Sequence, residues 1–350
     1  HNFNSGGGGL EHLNSTVLGA SRNDYSDENE YLGFLGLVAH EYFHLWNVKR
    51  LRPIALGPFN YDAENYTTNL WIAEGFTAYY DNLSLQRSGF YSPERYLSVL
   101  TEDINLVENQ PGNRIQSVSE ASFDAWIKYY RPNENSRNST ISYYNKGALI
   151  GLLFDLEIIH ATQGKKSLDD VLKAMYDEYY KKQKRGYTDA EFKAMAEKIA
   201  GKPLDKIYDN YVNGTEPIKF NDYLGHAGFY LVNDNEGNTT PYLGAATAIR
   251  DGKLGVTAVT RNSPAWKFGL NVNDEILAIG STRISSQRDL EQMIAAKKPG
   301  DQINILISRD GIPQTLAVTL GTNPTAKYRI TVDSTPTPEQ MAVRKKWLSL

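Results

Sequence analysis

At 350 residues and 39.3 kDa the chain is too long for one compact core, and two or three domains are expected. Hydrophobic residues at 41%, aromatics at 11% and charged residues at 22% exclude a disordered or collagen-like chain, and a net charge of −4 supplies no global positive field for nucleic acid or anionic lipid. The absence of cysteine removes disulfide frameworks, thiolate metal sites and Cys nucleophiles together, and leaves the redox compartment unread.

The two most apolar stretches, Tyr31 to Trp46 and Gly147 to His160, are too short for a bilayer and carry His and acidic residues, so no membrane span is expected. The chain opens on His1, with no Met and no signal-like segment. An N-terminal portion is therefore expected to have been trimmed, and targeting information with it.

From Tyr31 to about Gly214 the pattern is helical. Apolar residues recur at three- and four-residue steps around Leu35–Leu45, Leu70–Leu85, Leu97–Val107, Ile141–Ile159, Leu168–Tyr180 and Phe192–Ile199. Ser92 before Pro93, Ser167 with Asp170 and Thr188 with Glu191 read as N-caps, and Gly201 as a C-terminal stop. Between residues 214 and 242 the texture turns to Gly, Asn, Asp and Thr, the run Asn233-Asp234-Asn235-Glu236-Gly237-Asn238 reads as a turn or linker, and the domain boundary is placed near Asn235. Short β-like runs follow at Ala245–Ile249, Gly255–Val259, Glu275–Ile279, Ile303–Ser308 and Thr315–Leu320, with a helix near Leu290–Ala296. The tail after Asn323 carries one more strand and a charged amphipathic stretch ending in Trp347, expected to dock on one of the domains.

The sharpest local signal is His40-Glu41-Tyr42-Phe43-His44 inside a helical run. On a helix, residues four apart share a face, so two imidazoles can converge on one ion, while Glu41 at the edge of that face is placed to take a proton from water. Glu64 and Glu74 are the candidates for a third ligand. Glu64 lies in a polar, loop-like stretch. Glu74 lies in the apolar helical run Leu70–Phe76, where an uncompensated carboxylate is expensive to bury and ligation would remove that penalty. Two His and one Glu with an open position match a catalytic zinc site, and the implied chemistry is hydrolysis.

His40-Glu41-x-x-His44 followed by Trp71-x-x-Glu74-Gly75-Phe76 resembles the gluzincin metallopeptidases. The string His44-Leu45-Trp46-Asn47-Val48-Lys49-Arg50-Leu51-Arg52-Pro53 narrows the resemblance to the glycyl-aminopeptidase family, relatives of aminopeptidase N that often carry a PDZ domain. The resemblance implies a thermolysin-like catalytic domain, one Zn2+ ion and hydrolysis of the N-terminal peptide bond of peptides, with a Gly or Ala preference. A β-rich N-terminal domain, usual in the family, is expected to be absent.

Gly8-Gly9-Leu10-Glu11-His12 is similar to the exopeptidase motif of these relatives, in which the Glu binds the free substrate amine; His12 stands where aminopeptidase N has Asn. Tyr143-Tyr144-Asn145-Lys146-Gly147 resembles the segment that supplies the transition-state tyrosine, the register pointing to Tyr144 with Tyr143 as the adjacent alternative. Lys49, Arg50 and Arg52, just past the zinc helix, suit the negative end of its dipole.

Pro241-Tyr242-Leu243-Gly244-Ala245 and the Ser263-Pro264-Ala265 to Ile276 stretch resemble a bacterial PDZ domain. Leu243, Gly244 and Ala245 would present backbone N–H groups to a C-terminal carboxylate, and the strand after them an edge for β-augmentation by a peptide. The expected fold is multidomain α+β, a mostly helical thermolysin-like domain over 1–234, a small α/β PDZ-like domain over 235–325 and a tail over 326–350. The expected activity is zinc aminopeptidase. A zinc endopeptidase with the same site and a peptide-binding PDZ scaffold are the alternatives. An exported, envelope location is favoured slightly over the cytoplasm.

Overall fold

Two separate apolar cores form when the chain folds. One gathers buried residues from Leu51 to Phe229 together with Val343, Trp347 and Leu348, and the other gathers Leu243 to Leu320. The computed structural model describes residues 2–3 and 7–350.

The first unit begins with a small sheet, β1 (Asn2–Phe3), β2 (Gly8–Glu11) and β3 (Thr16–Ser21), in the order β1-β3-β2. Next comes α1 (Glu28–Phe43), capped by the Asp27 carboxylate, which accepts the N–H groups of Asn29 and Glu30. A π-helical turn, Trp71–Gly75, runs directly into α2 (Phe76–Arg87), and α3 (Pro93–Glu108) starts at the Ser92 cap with Pro93 in its first turn. Ser167 and Thr188 form capping boxes with Asp170 and Glu191, and Gly201 closes its helix in the left-handed conformation.

The central helix, Tyr143–Ala161, is buried almost all round, as its continuous apolar sequence dictates. It crosses the π-helical turn where two glycines meet. A Cβ on Gly75 would lie 2.5 Å from the Gly147 Cα, and one on Gly147 would lie 2.7 Å from the Trp71 carbonyl oxygen. Only glycine at both positions allows this approach.

The polar texture between residues 214 and 242 contains regular elements, and residues 234–237 form a turn. Residues Phe220–Leu224 form a helix and Phe229–Asn233 form β4, with Phe220, Tyr223, Leu224 and Phe229 buried in the first core. These four apolar anchors outweigh the polar residues between them.

The second unit contains β5 (Pro241–Tyr242), β6 (Ala245–Arg250), β7 (Lys253–Val259), β8 (Glu275–Ile279), β9 (Thr282–Arg283), β10 (Gln302–Arg309), β11 (Ile312–Thr319) and β12 (Gly321–Thr322). Its main sheet has the order β11-β10-β8-β7-β6 with β9 on β8, while β5 pairs with β12, and the helix Gln287–Ala295 packs against the β5 and β6 side. β6 is therefore an edge strand. Gly244, at φ +82°, turns the chain into it, and a Cβ there would meet the Ser263 Cβ at 2.2 Å.

The chain then returns to the first unit. β13 (Tyr328–Val332) pairs antiparallel with β4, and the helix Pro338–Leu348 buries Trp347, whose indole N–H donates to the Tyr79 hydroxyl at 2.9 Å. Asn138 ties the two units together, its amide donating to the Val259 carbonyl at 2.7 Å and its oxygen accepting from the Arg261 N–H at 2.8 Å. Among the described residues no helix is long and apolar enough to cross a membrane.

Candidate metal centre and active site

His40 and His44 project from the last turn of α1 and its C-cap, and Glu74 comes from the π-helical turn opposite. The Glu74 Oε2 lies 3.3 Å from the His40 Nε2 and 3.2 Å from the His44 Nε2. One donor atom from each of the three residues lies within 4.8 Å of the other two. The π-helical turn, with its extra residue, advances Glu74 toward α1 while Trp71, Ile72, Ala73 and Gly75 stay buried. Glu64 lies elsewhere, in an exposed loop.

The outer nitrogens of both imidazoles are engaged. His40 Nδ1 is 3.0 Å from an Asp81 carboxylate oxygen, and His44 Nδ1 is 2.9 Å from the Asn47 carbonyl, so each ring donates outward and turns Nε2 inward. Asn47 is itself fixed by donating to the carbonyls of Ile72 and Ala73, on the turn that carries Glu74. Asp81 and Asn47 were not singled out from the sequence. Asp81 could have been, since it stands seven residues after Glu74 on a continuing helix face.

Charge at this centre favours a cation. Burial opposes the charged His40 ring, but hydrogen bonds and charge from Asp81 and Glu74 raise its pKa to about 10; burial opposes the charged Glu74 carboxylate, but the two imidazoles hold it down at about 2. Two ring nitrogens and a carboxylate oxygen that share positive charge so readily are a donor set suited to a divalent metal ion, and the residues present fit one.

Glu41 is 5% exposed, and its Oε2 has no hydrogen-bond partner among the described residues. Burial pushes its pKa upward. β2 passes directly over it, with Gly9 so close that a Cβ would lie 2.3 Å from the Glu41 Cγ. Two residues further along β2, Glu11 forms an ion pair with Lys49 at 3.0 Å. Gly8 sits at φ +108° and His12 is exposed beyond the end of β2. Arg50 braces this strand's turn, donating to the Leu13 carbonyl and the Asn14 side chain at 3.0 Å.

Tyr144 stands across from His40, ring centroids 6.3 Å apart, and its hydroxyl is 3.3 Å from that of Tyr130. Tyr143 is more deeply buried and also reaches Tyr130, at 3.3 Å. Two cavities meet at this centre. One of about 490 Å³ is lined by Gly8, Gly9, Gly33, Gly36, His40, Glu41 and Tyr144, and one of about 730 Å³ reaches Glu74 and Tyr143. In the second unit, Leu243, Gly244 and Ala245 line a third cavity, of about 380 Å³, between β6 and the helix Gln287–Ala295.

A helical body brings a His-Glu-x-x-His helix against a glutamate on the following helical turn, under a glycine-rich strand, an arrangement suited to peptide hydrolysis. Residues 33–150 match the M61 glycyl aminopeptidase family and residues 241–320 match the PDZ domain family. The chain thus carries an M61 glycyl aminopeptidase domain followed by a PDZ domain.

A crystal structure of an aminopeptidase N family protein from Idiomarina loihiensis is similar over 98% of this chain and 60% of that one, at 32% identity and a TM-score of 0.83. A probable periplasmic serine endoprotease, DegP-like, from Pseudomonas fulva is 37% identical over 90 residues, 25% of this chain and 19% of the relative. A protein of the same description from Ectopseudomonas mendocina is 38% identical over 69 residues, 20% of this chain and 15% of the relative. Both matches fall in the PDZ region. The chain spans less than a fifth of these curated relatives and about three-fifths of the solved neighbour.

Proposed function

We propose that the protein is a zinc-dependent aminopeptidase that removes the N-terminal residue of peptides. The observation that carries this reading is the meeting of the His40 and His44 Nε2 atoms on one Glu74 oxygen, beside the buried and unpaired Oε2 of Glu41. His40, His44 and Glu74 would hold one zinc ion, which when bound supplies Lewis-acid polarisation of the peptide carbonyl and acidifies a water.

The chain's own residues carry the remaining steps. The Glu41 carboxylate accepts the proton of the attacking water and passes it to the departing amine; its lifted pKa suits both halves of that task. The Tyr144 hydroxyl donates a hydrogen bond to the oxygen on which negative charge develops, a contribution of about 10²–10³ in kcat for one such donor. Gly9 lets β2 lie against the Glu41 side chain and hold it in place, and Gly8 allows the turn into that strand. Glu11 pairs with the substrate ammonium and so sets the first peptide bond over the centre. His12 lies at the rim of the same subsite.

The Lys49–Glu11 pair bears on a second reading. A substrate ammonium has to displace Lys49 from Glu11, whereas an internal peptide bond makes no such demand, which favours an endopeptidase using the same site. Comparing free and N-acetylated peptides separates the two: an aminopeptidase cleaves only the free ones, and equal rates establish the endopeptidase.

Metal analysis tests the centre itself. Glu74→Ala is expected to lose stoichiometric zinc, and Glu41→Gln to keep zinc and lose hydrolysis; a zinc-replete Glu74→Ala protein would remove the assignment. We further propose that Leu243, Gly244 and Ala245 bind peptide C-termini, that the units divide at residues 234/235 and 325/326, and that the protein works in an envelope compartment, as do the probable periplasmic endoproteases that share its PDZ region.

A further inference from the structure

The peptide groove proposed on the second unit is tied from inside to the strand end that meets the first unit. The Leu243 carbonyl accepts the Ala265 N–H at 2.8 Å, and the Gly244 carbonyl accepts the Thr260 N–H at 2.8 Å. In a trans peptide the following N–H points opposite to the carbonyl, so the N–H groups of Gly244 and Ala245 face away from Ala265 and Thr260, to the side where a C-terminal carboxylate would sit. Thr260 therefore holds the carboxylate loop, and its two neighbours hold Asn138: the Val259 carbonyl accepts the Asn138 amide at 2.7 Å, and the Arg261 N–H donates to the Asn138 oxygen at 2.8 Å.

On the other side of the seam, Asn138 is buried in a single helical turn, Ser136–Ser139, only six residues before Tyr144. The chain between them has no slack. Thr140 donates its N–H to the Ser136 carbonyl at 2.8 Å and accepts from the Gln110 side chain at 2.6 Å, and the Ile141 N–H donates to the Gln116 side chain at 3.1 Å. Gly112 lies so close to the Thr140 carbonyl oxygen that no Cβ would fit. Ser142 then caps the central helix by accepting the Asn145 N–H at 3.2 Å, and Tyr144 sits in that helix's first turn.

The direction of the groove shows which part of a ligand this seam reads. A peptide whose carboxylate lies at Leu243–Ala245 extends along β6 toward Arg250, roughly 17 Å away at ~3.4 Å per residue, so its body leaves the seam and its carboxylate end alone acts there. That geometry suits an effector more than a substrate held at both ends. We infer that a peptide C-terminus bound at Leu243–Ala245 raises the rate of hydrolysis at the metal centre, with Asn138 as the positioning residue between Thr260 and the Tyr144 hydroxyl. A bound carboxylate orders the loop, Asn138 carries that order into the cap of the central helix, and Tyr144 then gives up less freedom when it donates to the developing charge. The inference rests on the aminopeptidase and peptide-groove readings above and adds how that site is regulated.

The test uses the full chain, zinc-loaded, and alanine p-nitroanilide, which has no C-terminal carboxylate to compete for the groove. Its kcat and KM are measured alone, with a saturating N-acetylated pentapeptide ending in three valines as the free acid, and with the amide of the same pentapeptide; calorimetry follows binding and hydrogen exchange follows residues 135–145. The acid is expected to bind, to raise kcat about fivefold with little change in KM and to slow exchange over 135–145, and the amide to do none of these. Asn138→Ala is expected to bind the acid as the wild type does and to lose the rise in kcat. A bound acid that leaves kcat unchanged or lowers it overturns the inference while the aminopeptidase reading stands. So does an amide as effective as the acid, or a full rise in Asn138→Ala, and an acid that does not bind removes the effector altogether. If the anilide is not hydrolysed under any condition but the acid slows exchange over 135–145 in the wild type and not in Asn138→Ala, the aminopeptidase reading fails and the coupling stands; unchanged exchange there removes both.

Discussion

The glycine pair at the helix crossing sets up a demanding prediction. Glu74 precedes Gly75, and Tyr144 stands three residues before Gly147, so the crossing fixes the distance between a proposed metal ligand and the proposed oxyanion donor. In Gly147→Ala the new methyl meets the Trp71 carbonyl oxygen at 2.7 Å and the Gly75 Cα at 2.8 Å, both backbone atoms that cannot rotate aside. Restoring an ordinary 3.4 Å contact requires the π-helical turn to retreat by about 0.7 Å. Overpacking of this kind typically destabilises by about 1–3 kcal/mol, partly offset by the ~0.5–1 kcal/mol that Ala gains over Gly in a helix interior. The net expectation is about 1–2 kcal/mol lost in chemical denaturation. Activity should fall further, since about 1 Å of misplacement at a reacting centre is worth up to ~10²-fold. Gly151→Ala on the same helix is the control: the nearest atoms to its methyl are side-chain atoms of Phe76 at 3.2 Å and Tyr79 at 3.3 Å, which need give by only a few tenths of an ångström. A Gly147→Ala protein with wild-type stability and turnover would refute the argument that this crossing sets the site.

Asp81→Asn removes the charged partner of His40 and is expected to weaken zinc binding by about 10–100-fold in chelator competition with little change in fold; unchanged affinity would show the contact to be idle. Asp155 is fully buried, and burial raises its pKa from 3.8 to about 6 despite hydrogen bonds from the Tyr79 hydroxyl and the Leu168 N–H. Because the folded value is the higher one, its favourable contribution is complete below pH 3.8 and is lost as pH rises through about 6. The difference in unfolding free energy between wild type and Asp155→Asn should therefore change across that window and be flat above pH 7; a constant difference contradicts it. Asn138→Ala cuts both hydrogen bonds between the units, at about 1 kcal/mol each, and should speed proteolytic nicking between residues 233 and 241. Nicking at the wild-type rate would mean that other contacts hold the units together.

The convergence of His40, His44 and Glu74 could be expected from the sequence because helical spacing and burial speak directly to residue type: two histidines four apart, and a glutamate expensive to bury alone in an apolar run. What orients these three side chains was less accessible. His44 is oriented by the Asn47 main-chain carbonyl, a group every residue carries, and the π-helical register of Trp71–Gly75 has no compositional mark. β4 went unread in the polar stretch after Asn213 because it acquires its partner only 95 residues later, in β13 (Asn233 opposite Tyr328). The cavity that reaches Glu74 and Tyr143 escaped for a related reason, since Phe59, Tyr61 and Tyr66 on its wall lie in an irregular segment with no period and meet Phe123 and Trp126 only in three dimensions. The N-caps at Ser92, Ser167 and Thr188, by contrast, depend on residues within three positions and could be read at once.

The return of the tail makes the PDZ module an insert with both of its ends stitched to one host. Where it departs and where it rejoins, the Asp234 N–H bonds to the Lys327 carbonyl at 2.9 Å, so the two junctions are neighbours on adjacent strands. Cutting the chain after residue 325 would strip the host of β13 and of the indole filling its core. Excising the insert and joining its two borders by a short turn would leave the host's strand pair and terminal helix in place, and this is the route by which the two halves can be separated.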